Sequence, residues 1–442
     1  MSGSAKSREE LSRQLGLWDS VAIIVGVVIG VGIFRVPASI AEYLSSPLLV
    51  LGVWVAGGLL ALCGGLCYAE LSAAFPRTGG DYVYLREAYG PCLSFLFGWT
   101  QLLVIRPGNL AGIAVIFAEY AAYFLPLSPW GIRALALSAI LLLTALNLWG
   151  LRFGRAAQNL LAIAKVLGLV LLTLVGLAVA RLVNLEVSTP PPTPLPLPLA
   201  LGTALIFVMW TYGGWNESTY VAGEMKNPAR DLPRSIALAL ALVVALYLAL
   251  NAVYLACIPP DQLPKSEMVA AVVVEKFLGG PGGGLIAALV VVSALGALNG
   301  TVLTSGRLTY AFGADHPRFE LLARVHNQFR TPAPALVLNG LWSAVLVCSG
   351  TFDQLVAYTS AVTWLFFALI AVGLFILRRK HPDLERPYRI WAPLVVLFVA
   401  ASLWLTYSAV AYSPLGSLAG LGILLAGLPL YYLVFSRPAP RA

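Results

Sequence analysis

Charge is what this chain of 442 residues has least of: Asp, Glu, Lys and Arg make up 11% of it, where a soluble domain carries roughly 25%. With 59% hydrophobic residues, too little polar surface remains for a soluble domain of this length. Histidine is nearly absent. The three present, His316, His326 and His381, all fall between apolar stretches, so they cannot assemble a metal or acid–base cluster inside one. No GxSxG and no HExxH occurs, which removes two signatures of hydrolytic chemistry. The five cysteines, Cys63, Cys67, Cys92, Cys257 and Cys348, form no CxxC and read as small packing residues. These absences argue against an enzyme. No cofactor and no metal is expected.

What the chain has in abundance is long hydrophobic runs, with a mean hydropathy of +0.85. At about 20 apolar residues per membrane span, twelve segments qualify. They lie near 18–43, 47–74, 90–122, 132–150, 157–181, 199–223, 232–258, 282–311, 334–350, 354–378, 390–412 and 414–436. The expected fold class is therefore an all-α polytopic membrane protein with twelve transmembrane helices. The polar stretch 1–17 reads as a cytoplasmic tail. It is not a cleavable signal, because the apolar segment after it is too long and lacks a small-residue cleavage site.

Most of the 28 Lys and Arg lie in segments that are cytoplasmic if the N-terminus is inside. Examples are Arg152 and Arg155, the cluster Lys226, Arg230 and Arg234, and the run from Arg378 to Arg389. Arg133, Arg181, Lys265 and Lys276 are left outside. This asymmetry follows the positive-inside rule and puts both termini in the cytoplasm. It also accounts for the net charge of +8 without a nucleic-acid partner.

The stretch 190-PPPTPLPLPL-199 favours an extended spacer and, within 182–198, connects two halves of the chain on the outside. Small residues in 57-GGLLALCGGLC-67, and Gly296 and Gly300, read as close helix-packing positions. The loop 76-PRTGGDYVYLREAYGP-91, on the cytoplasmic side, is turned by a proline and two glycines, and its later residues suit a short amphipathic helix. The apolar centre of 268–278 is too short to span and reads as a surface or re-entrant helix over an outer vestibule.

Two spans carry internal breaks, 26-GVVIGVGIF-34 and 211-TYGGWN-216. Unwound main chain at membrane depth is tolerated only where it lines a cavity or is buried in protein. A pair of breaks at matching positions in two halves points to a binding site. At the first, Gly26, Gly30 and Gly32 interrupt the helix. The amides around Val31, Gly32 and Ile33 then lack intrahelical partners and suit a carboxylate. At the second, Gly213 and Gly214 free the carbonyls of Trp210, Thr211 and Tyr212, which suit an ammonium. Donors on one break and acceptors on the other match the two ends of a zwitterion, so Ile29 completes a main-chain site with these residues.

Seven stretches, 30-GVGIF-34, 67-CYAELSAAFPRTGGDYVYL-85, 105-IRP-107, 211-TYGGWN-216, 224-EMKNPARDLP-233, 298-LNGTVLTSGRL-308 and 384-LERPYR-389, resemble the amino acid–polyamine–organocation superfamily. Within it they are most similar to the L-type amino acid transporter group, as a bacterial-like single-chain member. The resemblance implies a leucine-transporter-type fold with helices 1 and 6 unwound. Two inverted five-helix repeats would occupy 18–181 and 199–378, with two peripheral helices in 379–442. It also implies alternating-access exchange of amino acids at the plasma (inner) membrane.

Lys165 stands in an apolar span, and an intramembrane lysine is a functional expectation by default. It could also snorkel to the inner interface. The resemblance implies that its ammonium replaces a sodium ion, bridging Ser293 and a carbonyl near Ile23–Gly26. The same lysine could instead change protonation. Trp210 takes the place of an aromatic gate in the resembled family. Asn109 and Asn216 are candidates for polar substrate contacts, and Gly213 carries no carboxylate for a cationic side chain. The roles of Arg35 and Arg106 stay open. The segment 123–133 lacks the cysteine through which eukaryotic members join a second chain, so no disulfide-linked ancillary subunit is expected. Sodium-independent antiport of neutral L-amino acids is the expectation. Proton-coupled symport, and exchange of cationic or anionic amino acids, are the alternatives.

Overall fold

The computed structural model describes residues 16–75, 80–149, 155–180, 195–216, 225–259, 261–266, 268–329 and 331–435. Most of the Pro-rich connector, the N-terminal tail, Arg152, Arg181 and Glu224 lie outside the described residues. Fifteen α-helices run through those that are described. The first half holds α1 (Leu17–Val28), α2 (Val36–Ala41), α3 (Pro47–Ala74), α4 (Asp81–Tyr89), α5 (Pro91–Thr100), α6 (Arg106–Ala121), α7 (Pro129–Leu148) and α8 (Arg155–Ala180). The second holds α9 (Leu197–Thr211), α10 (Pro228–Cys257), α11 (Val269–Asp315), α12 (Ala333–Ser349), α13 (Phe352–Lys380), α14 (Ala392–Tyr412) and α15 (Pro414–Phe435). With α5 and α6 taken as one continuous unit, eight helices among the described residues are long and apolar enough to cross a membrane, and shorter apolar helices accompany them.

Local sequence sets the helix ends. Proline opens α3, α5 and α7, where its missing N–H would have had no partner. Thr351 and Gln354 close a reciprocal capping box at the start of α13. Large apolar side chains stay exposed on the outer helices, as at Leu142 and Leu171, the surface a hydrocarbon environment accepts.

The glycines of α3 pack as the sequence suggests. A Cβ at Gly57, Gly58, Gly64 or Gly65 would come under 3.0 Å from Val208, Val244, Phe398 and Ile236 respectively, so α3 lies tight against α9, α10 and α14. Gly300 differs: a Cβ there meets nothing within 4 Å, and both Gly296 and Gly300 line a cavity. They face open space rather than a neighbouring helix. The 268–278 segment is the first part of α11, set off by a kink at Gly279 (φ 67°). Its Val269, Ala270, Val273 and Val274 are buried while Glu275, Lys276 and Leu278 are exposed, so it lies at the surface with one face packed into the protein.

One buried ion pair ties the end of the bundle where α4 lies. Glu70 on α3 accepts from Arg378 Nε at 2.9 Å and Nη2 at 2.6 Å, and from the Ile390 N–H at 2.8 Å. Arg386 donates to the Leu377 and His381 carbonyls, each at 2.9 Å. Together they clamp α3, the end of α13 and the 384–390 stretch. Removing one partner strands a buried charge. Glu70→Gln is expected to cost roughly 3–5 kcal/mol, read as a lower thermal midpoint of the detergent-solubilised protein; an unchanged midpoint would refute the clamp.

Near the same end, just beyond α11, His316 is buried against Phe95 and Phe312, with ring centroids 5.1 and 4.8 Å away. Its Nε2 lies 3.4 Å from Tyr82 Oη. Burial pushes its pKa below the ordinary 6.5, against the opposing pull of Asp315. The unfolded chain therefore takes up this proton first as pH falls. The stability His316 contributes is fully present above pH 6.5 and is lost as pH falls below it. Thermal midpoints measured across pH 5 to 8 should fall toward the acid side, and His316→Gln should flatten that slope.

Candidate functional site

The first break begins where α1 stops at Val28. The Ile29 N–H still reaches Val25 at 2.9 Å, but the Gly30 N–H turns back to Val28 at 2.7 Å. A short 3-10 turn, Gly32–Phe34, then leads into α2. Gly26 therefore sits inside the helix rather than interrupting it. Among the described residues the N–H groups of Val31, Gly32 and Ile33 find no main-chain acceptor. The carbonyls around them are held: Val28 by Tyr247 Oη at 3.1 Å, Ile29 by Lys165 Nζ at 3.3 Å and Phe34 by Tyr120 Oη at 2.8 Å.

The second break follows α9. The Tyr212 N–H donates to Val208 at 2.9 Å and the Gly213 N–H to Trp210 at 3.1 Å. The Trp210 carbonyl is thus occupied, which corrects the expectation that it is free. Those of Thr211 and Tyr212 lie beyond the last of these bonds. Gly214 has φ +104°, a region L side chains rarely adopt, and a Cβ there would fall 2.6 Å from Val27 Cγ1. The two breaks touch: a Cβ on Gly32 would lie 2.8 Å from Thr211 Oγ1. The chain after Asn216 lies outside the described residues as far as 224.

Both breaks open into one cavity of about 1610 Å³. It contains Gly26, Gly30, Val31, Gly32, Asn109, Trp210, Thr211, Gly213, Gly214 and Asn216, together with Lys165, Ser293 and Arg106. It extends to Trp18 and Asp19 at the start of α1 and to Asp81 of α4. Ile29, Ile33 and Tyr212 do not line it: their side chains are 1%, 0% and 0% exposed, and any part they take is through main chain. Tyr212 Oη instead donates to the Trp54 carbonyl at 3.2 Å.

Lys165 meets the carbonyl of Ile29 rather than one at 23–26, because α1 stays hydrogen-bonded through that stretch. No hydrogen bond joins it to Ser293, whose buried Oγ has no partner among the described residues. Asn109 is paired with Trp210: its Oδ1 accepts from Trp210 Nε1 at 3.1 Å. Pro107 frees a carbonyl. A π-turn spans Gln101–Ile105, and the Leu103 carbonyl that Pro107 cannot satisfy accepts from Trp342 Nε1 at 2.6 Å and Tyr358 Oη at 3.0 Å.

Beyond Trp210 the cavity is closed in layers. The Trp210 ring meets Phe352 edge-on at 5.0 Å, and the Arg35 guanidinium lies 5.6 Å from the other ring's centroid. Arg35 then engages Glu119 at 3.4 Å, Asp353 at 3.7 Å and Ser39 at 3.0 Å, while Ser39 Oγ donates to Asp353 at 2.8 Å. Arg35 therefore belongs to the seal, not to the cavity lining. Sequence reasoning missed Glu119, Asp353 and Phe352. An acid within span three was a signal of the same kind as Lys165.

The amino acid permease family profile matches residues 15–434. The chain belongs to that family, and so to the amino acid–polyamine–organocation superfamily. It is a multi-pass membrane protein of a transporter family, not an enzyme. The b(0,+)-type amino acid transporter 1 of Mus musculus is 33% identical over 429 residues, covering 96% of this chain and 88% of the relative. The same transporter of Homo sapiens is also 33% identical over 429 residues, with the same coverage. The large neutral amino acids transporter small subunit 2 of Homo sapiens is 32% identical over 450 residues, covering 99% and 84%. In this permease, Gly214→Ala adds about 1–3 kcal/mol of backbone strain and a clash with Val27. Substrate binding, read by isothermal calorimetry on purified protein, is expected to be lost while the helical circular dichroism is kept.

Proposed function

We propose that the protein is a sodium-independent exchanger of neutral L-amino acids, a member of the L-type group. Twelve spans would be arranged as two inverted five-helix repeats plus α14 and α15. The observation that carries this reading is Lys165 Nζ at the Ile29 carbonyl, 3.3 Å away, beside three amides without main-chain acceptors. A fixed ammonium at the first break supplies the charge that a bound cation would otherwise bring. The Val31, Gly32 and Ile33 amides receive the α-carboxylate, and the Thr211 and Tyr212 carbonyls the α-ammonium. Gly213, with no side chain, leaves room for an uncharged substituent under Trp210.

The charge asymmetry puts α4 and the start of α1 on the cytoplasmic side. The cavity then opens inward, and the layers from Trp210 through Phe352 to Arg35, Glu119 and Asp353 form the outer closure. In the outward-facing state these layers part and the inner mouth near Asp19 and Asp81 closes. No second chain is needed for the cycle.

Proteoliposomes in sodium-free buffer test this. Uptake of labelled neutral amino acid is expected only when the lumen holds amino acid, and neutral competitors should suppress it more than basic or acidic ones. Accumulation into empty liposomes under a pH or sodium gradient would replace exchange with ion-coupled symport. Lys165→Ala should slow exchange about tenfold or more, given the worth of a charged hydrogen bond.

A further inference from the structure

Away from the substrate cavity, a second concavity of about 420 Å³ lies between the first turns of α10 and the stretch after α13. It is lined by Arg230, Pro233, Arg234, Pro387 and Tyr388. Its wall is fixed, because the chain just past Tyr388 is held to Glu70 through the Ile390 N–H and Arg378. Three other basic groups of this end already have acceptors. Arg378 has Glu70, Arg386 has the Leu377 carbonyl and Lys380 has the Ala88 carbonyl. Arg230 gives only its Nε, to Asp231 at 2.8 Å. Arg234 makes no hydrogen bond or ion pair among the described residues. The concavity thus presents the Arg234 guanidinium, unpaired among the described residues, beside Arg230, whose pairing with Asp231 uses only Nε.

The face of α10 that continues from Arg234 is apolar and open. Leu238, Ala241 and Ala245 follow at helical spacing, and all are exposed. Arg234 stands where the apolar part of this helix begins. A soluble anion would need only the guanidiniums. An amphiphile with a phosphate head and hydrocarbon tails fits both the head pocket and the track below it. We propose that this pocket binds the phosphate headgroup of an anionic phospholipid of the cytoplasmic leaflet, with the acyl chains along the Leu238–Ala241–Ala245 face. Because Tyr247 of the same helix holds the Val28 carbonyl at the first break, an occupied pocket steadies the helix that supports the substrate site.

The orientation rests on the proposed topology, but the test does not depend on transport. Purified full-length protein is incubated with phosphatidylglycerol or phosphatidylcholine, and retained lipid is counted by native mass spectrometry. Phosphatidylglycerol is expected to be retained preferentially. Arg234→Gln should weaken that retention about fivefold, and Arg230→Gln with Arg234→Gln by about that factor again. Both arginines are exposed, and unchanged thermal midpoints of the variants would show that they fold. Equal retention of the two lipids, or full phosphatidylglycerol retention by the double variant, would overturn the site. Thermal protection by inorganic phosphate equal to that by phosphatidylglycerol would assign the pocket to a soluble anion and overturn the lipid assignment.

Discussion

Every main-chain N–H and C=O that leaves a helix inside an apolar environment has to find another partner, and this constraint organises the molecule. Around the first break, a tyrosine from α10, a lysine from α8 and a tyrosine from α6 take the carbonyls of Val28, Ile29 and Phe34. Where Pro107 removes a donor, a tryptophan from α12 and a tyrosine from α13 take the orphaned oxygen. At the first break these carbonyls are satisfied by the protein, and donors are left over. The remaining donors are the amides of Val31, Gly32 and Ile33, so the first break is electropositive by construction and suited to an anionic group.

The seal beyond the cavity works by a different principle. Trp210 and Phe352 exclude water by bulk. Behind them Arg35 is shared between the carboxylates of Glu119 and Asp353 and the Ser39 hydroxyl. Buried charges in such an arrangement hold one another in place at a desolvation cost that limits the net gain in stability. A closure built this way is specific without being deep in free energy.

Much of the architecture was legible in the sequence because lipid imposes a simple code: long apolar runs, glycines at breaks, and basic residues at one end. The two breaks, the short α4 and the close packing of α3 could all be read. What could not be read was three-dimensional partnership. Nothing in the spacing says that Asn109 spends its oxygen on Trp210, or that Gly300 faces open space while Gly57 faces a helix. Gly26 shows the limit of composition, since glycine permits a break without requiring one, and the hydrogen bond from Ile29 to Val25 keeps the helix intact past it. The sequence left the role of Arg35 open. Packing against Phe352 and two acids places it in the seal.

The π-turn at Gln101–Ile105 acts as a frame shift within one continuous span. Phe97, Gln101, Ile105, Asn109 and Ile113 all reach the cavity at four-residue steps, a series that a regular α-helix would carry off one face by about 40° per step. One residue corresponds to about 100° around a helix. The extra residue lets a single rod turn both of its halves toward the same cavity. Deleting any one residue there would swing the far half away by roughly that angle, taking Asn109 from beneath Trp210. The span therefore has a fixed length at this point, while its sequence there can vary.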